Sequence, residues 1–425
     1  MKPWHLAAAA LVILLVIFIL SLIFPYVPPV NPSEHFTRAE IARGAAYSRV
    51  GFIGWVVGFL LTLAVYASIY MTKIGDDLAN LTGRIAGENP RGWRRLLEIG
   101  VYRLLLLILF LVVFFPLSAA RGYIVPTRFG LGAPSFGAWF LYSYLPGRFI
   151  AFLSALFITI LVFGLMRRFP RAWWLIAAVV LFVIGILFGM LAPVTVDKLA
   201  NRFKLLEEGP LRDKITAFAK KAGMPLPPIY VVDKSKSTGH TNAYYTGIGP
   251  TKRIVLYDTL VKKNDAASVE SIMAHEAGHW KHKHILKGIL LGIPGGLLAV
   301  LLIVLLFQYL AKQSFFGLKA MHDVRAIPLF LFCVMVVNYA SMPVFNYISR
   351  QFETQADATA IELTGRPEAY IEAERNLIRH NASNLFPGRM TILWFYTHPA
   401  PMDRIAMGVR ALEKKNTDNE APLRE

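Results

Sequence analysis

Long apolar runs alternate with two polar regions along this chain. The runs cover about residues 6–27, 51–71, 99–120, 149–166, 172–195, 288–311 and 326–347. Each is close to the roughly 20 residues that an α-helix needs to cross a bilayer. The pattern predicts a mainly α-helical, polytopic membrane protein with about seven transmembrane helices. The first run is followed by PYVPPVNP and not by a small-residue cleavage site, so we expect a retained span and not a signal peptide.

Composition supports a membrane protein, and the positions of Lys and Arg explain the positive net charge. Hydrophobic residues make up 55% of the chain and charged residues only 17%, whereas a soluble domain has about a quarter charged residues. The formal charge of +18 comes from Lys and Arg residues that cluster at the ends of apolar runs, which is typical of membrane flanks and argues against a nucleic-acid partner. The single cysteine, Cys333, excludes an internal disulfide and a multi-cysteine metal site.

The runs divide the chain into segments of different character. We predict a five-span membrane region, a first polar region, a two-span hairpin, a second polar region and a polar, disordered tail, with bounds 1–195, 196–287, 288–347, 348–412 and 413–425. Exactly two spans separate the polar regions, so both emerge on the same side of the membrane. The two polar regions are therefore able to form one catalytic domain.

The first polar region contains the motif His275-Glu276-Ala277-Gly278-His279, which has the pattern H-E-x-x-H. Residues four apart lie on one face of a helix, so both imidazoles are placed to bind a tetrahedral zinc ion. Glu276 is placed to act as general base on a water at the metal. A helix with two exposed histidines would show the same pattern. The zinc interpretation therefore needs a third ligand, which we expect after residue 348.

The second polar region supplies candidate carboxylates in the stretch FETQADATAIELTG. Glu353 and Asp357 are four apart and share a helix face. Glu353 would complete a His, His, Glu ligand set, and Asp357 would accept a hydrogen bond from a zinc-binding imidazole. Two solvated acids on an exposed helix are the alternative, and Glu362 is a competing carboxylate.

Two other kinds of zinc protease are less compatible with the residues around the motif. The metzincin pattern needs Gly and His where this chain has His282 and Ile285. Intramembrane proteases of the site-two type bury the motif inside a transmembrane helix. Here the flanks KKNDAASVES and WKHKHILK are too polar for the centre of a membrane. We interpret His282 and His284 as interfacial side chains among lysines and not as extra ligands.

Three short runs before the motif helix predict a small β-sheet. They are rich in β-branched and aromatic residues and cover Ile229–Asp233, Thr241–Thr246 and Arg253–Asp258. An edge strand of such a sheet could pair with an extended peptide through backbone hydrogen bonds.

The combination of HEAGHW and FETQADA with seven spans resembles the type 1 CAAX prenyl protease family. The segments IYVVDKSKSTGHTNAYYTGIG and THPAPMDRI are also similar to that family, so the resemblance covers roughly residues 195–410. It implies an integral-membrane zinc metalloendopeptidase, related to the bacterial heat-shock membrane protease. The implied fold has a gluzincin-like protease domain and transmembrane helices that enclose a chamber.

The resemblance also implies roles for individual residues. It gives one zinc ion per chain, bound by His275, His279 and Glu353, with Glu276 as the catalytic base. It also implies that Asp357 accepts a hydrogen bond from a zinc-binding imidazole and that Asn242 lies near the substrate. His398 and Arg404 are implied to stabilise the oxyanion.

The sequence leaves substrate and orientation open. The substrate is a peptide or protein: either a prenylated C terminus or, as in quality control, a membrane protein without prenylation. A zinc-stabilised membrane scaffold without peptidase activity is the third hypothesis. The family places the zinc domain in the cytosol, whereas the count of Lys and Arg over short loops favours the reverse orientation.

Polar residues inside the spans fit a chamber. Asn338 and Asn346 lie in the seventh span and Arg103 lies near the start of the third. Such groups usually face protein or water and not lipid. Arg103 could equally reach the membrane interface along its own helix.

Overall fold

The computed structural model describes residues 24–420, apart from 88–89, 193–194, 196–200, 222, 225–226 and 248. Its helices are, in chain order, α1 (Arg38–Met71), α2 (Ile74–Ala86), α3 (Trp93–Ala119), α4 (Val125–Arg128), α5 (Phe136–Trp139), α6 (Leu145–Arg168), α7 (Trp173–Leu191), α8 (Pro210–Lys221), α9 (Asp258–Lys263), α10 (Ala266–Lys281), α11 (His284–Ala311), α12 (Ile327–Thr364), α13 (Pro367–Asn381), α14 (Arg389–Phe395) and α15 (Pro401–Glu420). Two π-helical turns, Ala120–Ile124 and Phe140–Tyr144, join α3 to α4 and α5 to α6.

Six stretches of the described chain are long and apolar enough to cross a membrane, and the protein is a multi-pass membrane protein. They are Arg38–Met71, Trp93–Arg128, Phe136–Arg168, Trp173–Leu191, His284–Ala311 and Val324–Thr364. Five of them contain a predicted span, and Trp173–Leu191 covers most of the predicted span 172–195, so the last six predicted spans are confirmed. The first predicted span, 6–27, falls almost entirely within residues 1–23 and lies outside the described residues.

The membrane helices pack around a core of large side chains and turn other apolar side chains outward. Tyr102, Phe307 and Leu329 are fully buried between helices. Val112, by contrast, is 70% exposed on the outer surface of α3. Outward apolar groups are stable there because lipid tails replace water as the solvent of this surface.

A small mixed sheet lies in the first polar region. Its strands are β1 (Phe203–Leu205), β2 (Ile229–Val232), β3 (Ala243–Thr246) and β4 (Arg253–Tyr257), in the order β1-β2-β4-β3. The three predicted strands are confirmed, while β1 was missed because three residues are too short to show an alternating pattern. β2 and β4 run parallel, and β3 pairs antiparallel with β4, so β3 is an edge strand.

The structure brings the two polar regions together through α10 and the second half of α12. Gly278, inside the HEAGH motif, permits this approach: a Cβ there would stand 2.7 Å from Ala356 Cα and 2.9 Å from its carbonyl oxygen. Any side chain at position 278 would push the two helices apart. The same contact sets the distance between the motif histidines and the carboxylates of α12.

The prediction of a disordered tail is wrong for residues 413–420, because α15 continues to Glu420. The stretch is polar but rich in Glu and Lys, which are good helix formers. Lys415 also holds it to the domain, since its Nζ donates to the Gly365 carbonyl at 3.3 Å and to Glu368 at 3.2 Å. Polarity alone was therefore a poor guide to disorder here.

Candidate active site

Ligand atoms of three side chains converge where α10 meets α12. The Nε2 atoms of His275 and His279 are 3.1 Å apart. Glu353 Oε2 lies 3.1 Å from His275 Nε2, and Oε1 lies 3.6 Å from His279 Nε2. Among the described residues, no donor makes a well-directed hydrogen bond to the buried Oε2. An unsatisfied carboxylate oxygen facing two imidazole nitrogens is the arrangement that a cation would complete.

Local sequence explains why the histidines lie on an ordered helix. Asp265 caps α10, since its carboxylate accepts a hydrogen bond from Ser268 N. Met273 and Ala277 bury the opposite side of α10 in the core of the domain. The helix is therefore fixed before any metal binds, and the motif imidazoles face α12.

Behind His275, a buried charge network fixes the first imidazole. Asp357 Oδ1 lies 2.8 Å from His275 Nδ1, and the Asp357 side chain is completely buried. Arg404 donates to both Asp357 oxygens, at 2.8 and 2.6 Å, and its Nη1 lies 2.8 Å from Glu374. With Nδ1–H committed to Asp357, the Nε2 lone pair of His275 points toward Glu353 and the metal position.

His284 lies behind His279, and its interpretation as an interfacial side chain is wrong. Its residue is only 4% exposed and its ring stacks on Phe352 at 4.5 Å. His284 Nδ1 lies 2.9 Å from His279 Nδ1, and His284 Nε2 lies 3.1 Å from Gln355 Oε1. The interpretation failed because Lys283 adopts a left-handed conformation (φ 54°), which reverses the chain between α10 and α11 and turns His284 inward.

The Glu276 carboxylate lies beside the edge strand of the sheet. Its Oε2 accepts a hydrogen bond from Tyr245 N at 2.9 Å, and the residue is 8% exposed. Burial raises the pKa of Glu276 above its ordinary value, while His275 and His279 lower it. A carboxylate whose proton affinity is raised in this way is suited to take up a proton.

A cavity of about 790 Å³ opens over these groups. Asn242, His275, Glu276 and His398 line it. His398 Nε2 stands 3.2 Å from Glu353 Oε2, with just over half of its side chain exposed to the cavity. The volume falls within the range of about 300–1,000 Å³ that is usual for small-ligand sites, so a short peptide segment fits.

The geometry distinguishes the two candidate carboxylates and places Arg404. Glu362 lies away from the histidines, where its exposed side chain is 3.4 Å from Lys281 Nζ, so Glu353 is the carboxylate that meets them. Arg404 is close to the site, but two carboxylates occupy its guanidinium. Glu374 and His284 were missed as site neighbours. Spacing gave no signal for His284, because its ring turns inward only through the chain reversal at Lys283.

Comparison with known proteins identifies the same region. Peptidase family M48 matches residues 205–411. The chain is 29% identical to the Bacillus subtilis protein named uncharacterized metalloprotease YhfN, over 88% of this chain and 87% of that one. It is also 29% identical to CAAX prenyl protease 1 of Saccharomyces cerevisiae, over 71% of this chain and 70% of the yeast protein.

A solved structure matches nearly the whole fold. The crystal structure of S. mikatae Ste24p superposes with a TM-score of 0.80 and 26% sequence identity, covering 96% of this chain and 99% of that one. The likeness therefore includes the membrane helices as well as the region around the motif.

Proposed function

Because this chain belongs to peptidase family M48, as a membrane metalloprotease of the CAAX prenyl protease kind, we propose that it hydrolyses peptide bonds with a zinc ion held by His275, His279 and Glu353. The observation that carries the proposal is the convergence of these three ligand atoms beside the Glu276 carboxylate.

The donor set fits zinc. Zinc takes imidazole nitrogen and carboxylate oxygen at about 2.0–2.2 Å in tetrahedral geometry, which separates neighbouring ligand atoms by about 3.3–3.4 Å. The two Nε2 atoms are 3.1 Å apart, Glu353 Oε2 lies 3.1 Å from His275 Nε2, and the other carboxylate oxygen, Oε1, lies 3.6 Å from His279 Nε2, all close to that separation. Two histidines and one carboxylate leave the fourth position open, as catalytic zinc sites do.

The roles of the neighbouring residues follow from their positions. Glu276 takes a proton from the attacking water and passes it to the leaving amine. A bound zinc ion would supply Lewis acidity toward the scissile carbonyl. His398, exposed to the cavity and 3.2 Å from Glu353, donates to the oxyanion. Arg404 acts differently from the oxyanion role that the resemblance implies: it positions His275 through Asp357.

We assign peptide binding to the free edge of β3. The Asn242 carbonyl accepts a hydrogen bond from Tyr257 N, so the backbone polar groups of residue 242 face β4. Because these groups alternate in direction along a strand, the backbone N–H and C=O groups of Ala243 and Tyr245 point away from the sheet. Tyr245 N indeed reaches Glu276. An extended peptide can add to this edge through Ala243, while the Asn242 side chain holds it in the cavity.

The test is peptide cleavage by the detergent-purified full chain, comparing wild type with Glu276→Gln. The variant keeps the size of the side chain and removes the base, so we expect kcat to fall by about 10²–10⁴-fold. The bound zinc, measured on the same samples, is expected to be equal. A chelator should abolish wild-type activity and added zinc should restore it. Equal cleavage by both proteins would refute the role of Glu276.

For the natural substrate we propose prenylated C termini, because several relatives bear the name CAAX prenyl protease 1. The check is a pair of peptides identical except for a farnesyl group on cysteine. A preference of at least tenfold in kcat/KM for the farnesylated peptide is expected. Equal rates would instead favour general proteolysis of membrane proteins.

We propose that the active site faces the cytosol. Cys333 is buried, so a cysteine introduced by Lys414→Cys on the exposed surface of α15 would be the only reactive thiol of the described chain. A membrane-impermeant maleimide should label it only after the cells are opened. Labelling in intact cells would establish the reverse orientation.

A further inference from the structure

Two adjoining cavities lie between the membrane-spanning helices, apart from the cavity of the candidate active site. The larger has a volume of about 850 Å³ and the smaller about 200 Å³. Both are bordered by Leu107, Phe110 and Arg148, so they share a wall. Trp55 lines the larger cavity and contacts Phe395, which lines the active-site cavity, edge-on at 4.8 Å.

These cavities carry positive charge without compensation. Arg121 and Arg148 line the larger cavity, and Arg103 and Arg148 line the smaller. No Asp or Glu borders either cavity within residues 24–420 as described, and the remaining walls are mainly apolar and aromatic. None of the three arginines has a carboxylate within 4.0 Å among those residues.

Arg103 is the most constrained of the three. It lies ten residues into α3, which is about 15 Å along the helix axis, and it is only 9% exposed. Its side chain faces the bundle interior, so it does not extend to the membrane interface. Its Nε has no hydrogen-bond partner in the described part of the chain. A buried guanidinium of this kind is costly unless an anion accompanies it.

The backbone of the larger cavity is also irregular. Both π-helical turns contribute to it, Ala120–Ile124 through Arg121 and Phe140–Tyr144 through Tyr144. π-turns inside helices are rare and occur frequently at functional sites. The first of them aims Arg121 into the same space as Arg148, whose guanidinium lies 5.2 Å from the centre of the Tyr144 ring.

We propose that these cavities bind one anionic lipid, with its carboxylate or phosphate on Arg103 and Arg148 and its hydrocarbon chain along the aromatic wall. The charge selects an anion, and the apolar walls within the membrane-spanning helices select a hydrocarbon chain. The smaller cavity suits a head group, since 200 Å³ is below the usual range of a pocket for a whole small molecule. The free C-terminal carboxylate of a peptide is the rival occupant.

The test is native mass spectrometry of the delipidated full chain in neutral detergent. The probes are oleate, dioleoyl phosphatidylglycerol, the zwitterionic lipid dioleoyl phosphatidylcholine, and a short peptide with a free C terminus. We expect one anionic lipid per chain and at least tenfold weaker binding of phosphatidylcholine. Binding of oleate alone would identify a carboxylate ligand, and binding of phosphatidylglycerol alone a phospholipid.

Variants connect the binding to the arginines. Arg103→Gln and Arg148→Gln should each weaken binding of the anionic lipid at least tenfold, whereas Arg94→Gln, exposed on the same helix as Arg103 and outside both cavities, should change it less than twofold. Thermal unfolding of each variant establishes that it is folded, and Arg148→Gln decides the question if Arg103→Gln does not fold. Unchanged binding in the folded variants, equal binding of phosphatidylcholine, or binding of the peptide alone would each overturn the proposal.

Discussion

Arg404 and Arg103 are both buried arginines, but their surroundings differ completely. Arg404 lies behind the candidate metal site and contacts the carboxylates of Asp357 and Glu374. Arg103 lies among the membrane helices with an unpartnered Nε and no carboxylate within 4.0 Å among the described residues. The first guanidinium is satisfied by the protein itself, whereas the second leaves its charge to something outside the chain.

Arg404 therefore has a structural role, whereas Arg103 has the surroundings of a ligand-binding group. A paired buried cation fixes its partners, and removing it leaves their charges uncompensated. An unpaired one stabilises nothing by itself, so removing it costs little in the absence of ligand. Substitutions at four positions test that difference.

The largest effect is expected from Arg404→Met. Its loss leaves Asp357 and Glu374 buried without their cation, so unfolding should become easier by about 3–5 kcal/mol. Zinc content should fall with it, because Asp357 no longer holds His275 in one orientation. Chemical denaturation and metal analysis check both effects. Arg410→Met, exposed on the same helix, serves as the control, and equal stability of the two variants would contradict the structural role of Arg404.

A smaller effect is expected from His284→Phe, which keeps the stacking on Phe352 but removes the hydrogen-bond partner of His279 Nδ1. Loss of such a partner typically lowers metal affinity by about 10–100-fold. Chelator competition measures the zinc affinity directly. His284→Gln, which can still accept a hydrogen bond, should recover part of the loss. His282 contacts Thr359 and not a motif histidine, so His282→Phe should change the affinity less than twofold. Equal affinity of wild type and His284→Phe would contradict this positioning role.

Arg103→Met should have almost no cost in lipid-free detergent. The change replaces an unpaired buried charge with an apolar side chain of similar length, so the midpoint of thermal unfolding should stay the same or rise. Added oleate should stabilise wild type and leave Arg103→Met unaffected. Destabilisation as large as that of Arg404→Met would show that Arg103 has a structural partner after all.

A small loss of stability is expected from Lys415→Met in the last part of α15. The Lys415–Glu368 pair is largely exposed, and such pairs contribute about 0.2–1 kcal/mol. Thermal unfolding should therefore shift by a degree or so. A change comparable to that of Arg404→Met would mean that exposure is a poor measure of what an ion pair contributes in this domain.

Much of this architecture could be predicted from the sequence because its signals are local. Apolar runs of about 20 residues locate the membrane helices, and the spacing in His275-Glu276-Ala277-Gly278-His279 places two imidazoles on one helix face. The parity of the spans led the search for a third ligand to Glu353. The first span and the roles of the site residues stay predictions.

What the sequence could not show depends on contacts between distant residues or on backbone turns. The pairing of Arg404 with Asp357 and Glu374 joins three helices, and nothing local marks it. The inward turn of His284 depends on the left-handed Lys283, a conformation unusual for lysine. Arg103 could be placed in a span, but only the folded bundle distinguishes a cavity from the membrane interface.

The most direct test of the central claim, a zinc ion held by His275, His279 and Glu353, is X-ray absorption at the zinc edge of the purified full chain. We expect four light ligand atoms at about 2.0–2.2 Å, with the multiple scattering of two imidazoles. His279→Ala should reduce that to one imidazole, and Glu362→Gln should leave the spectrum unchanged. A spectrum without imidazole scattering, or one that His279→Ala does not alter, would contradict the proposed metal site.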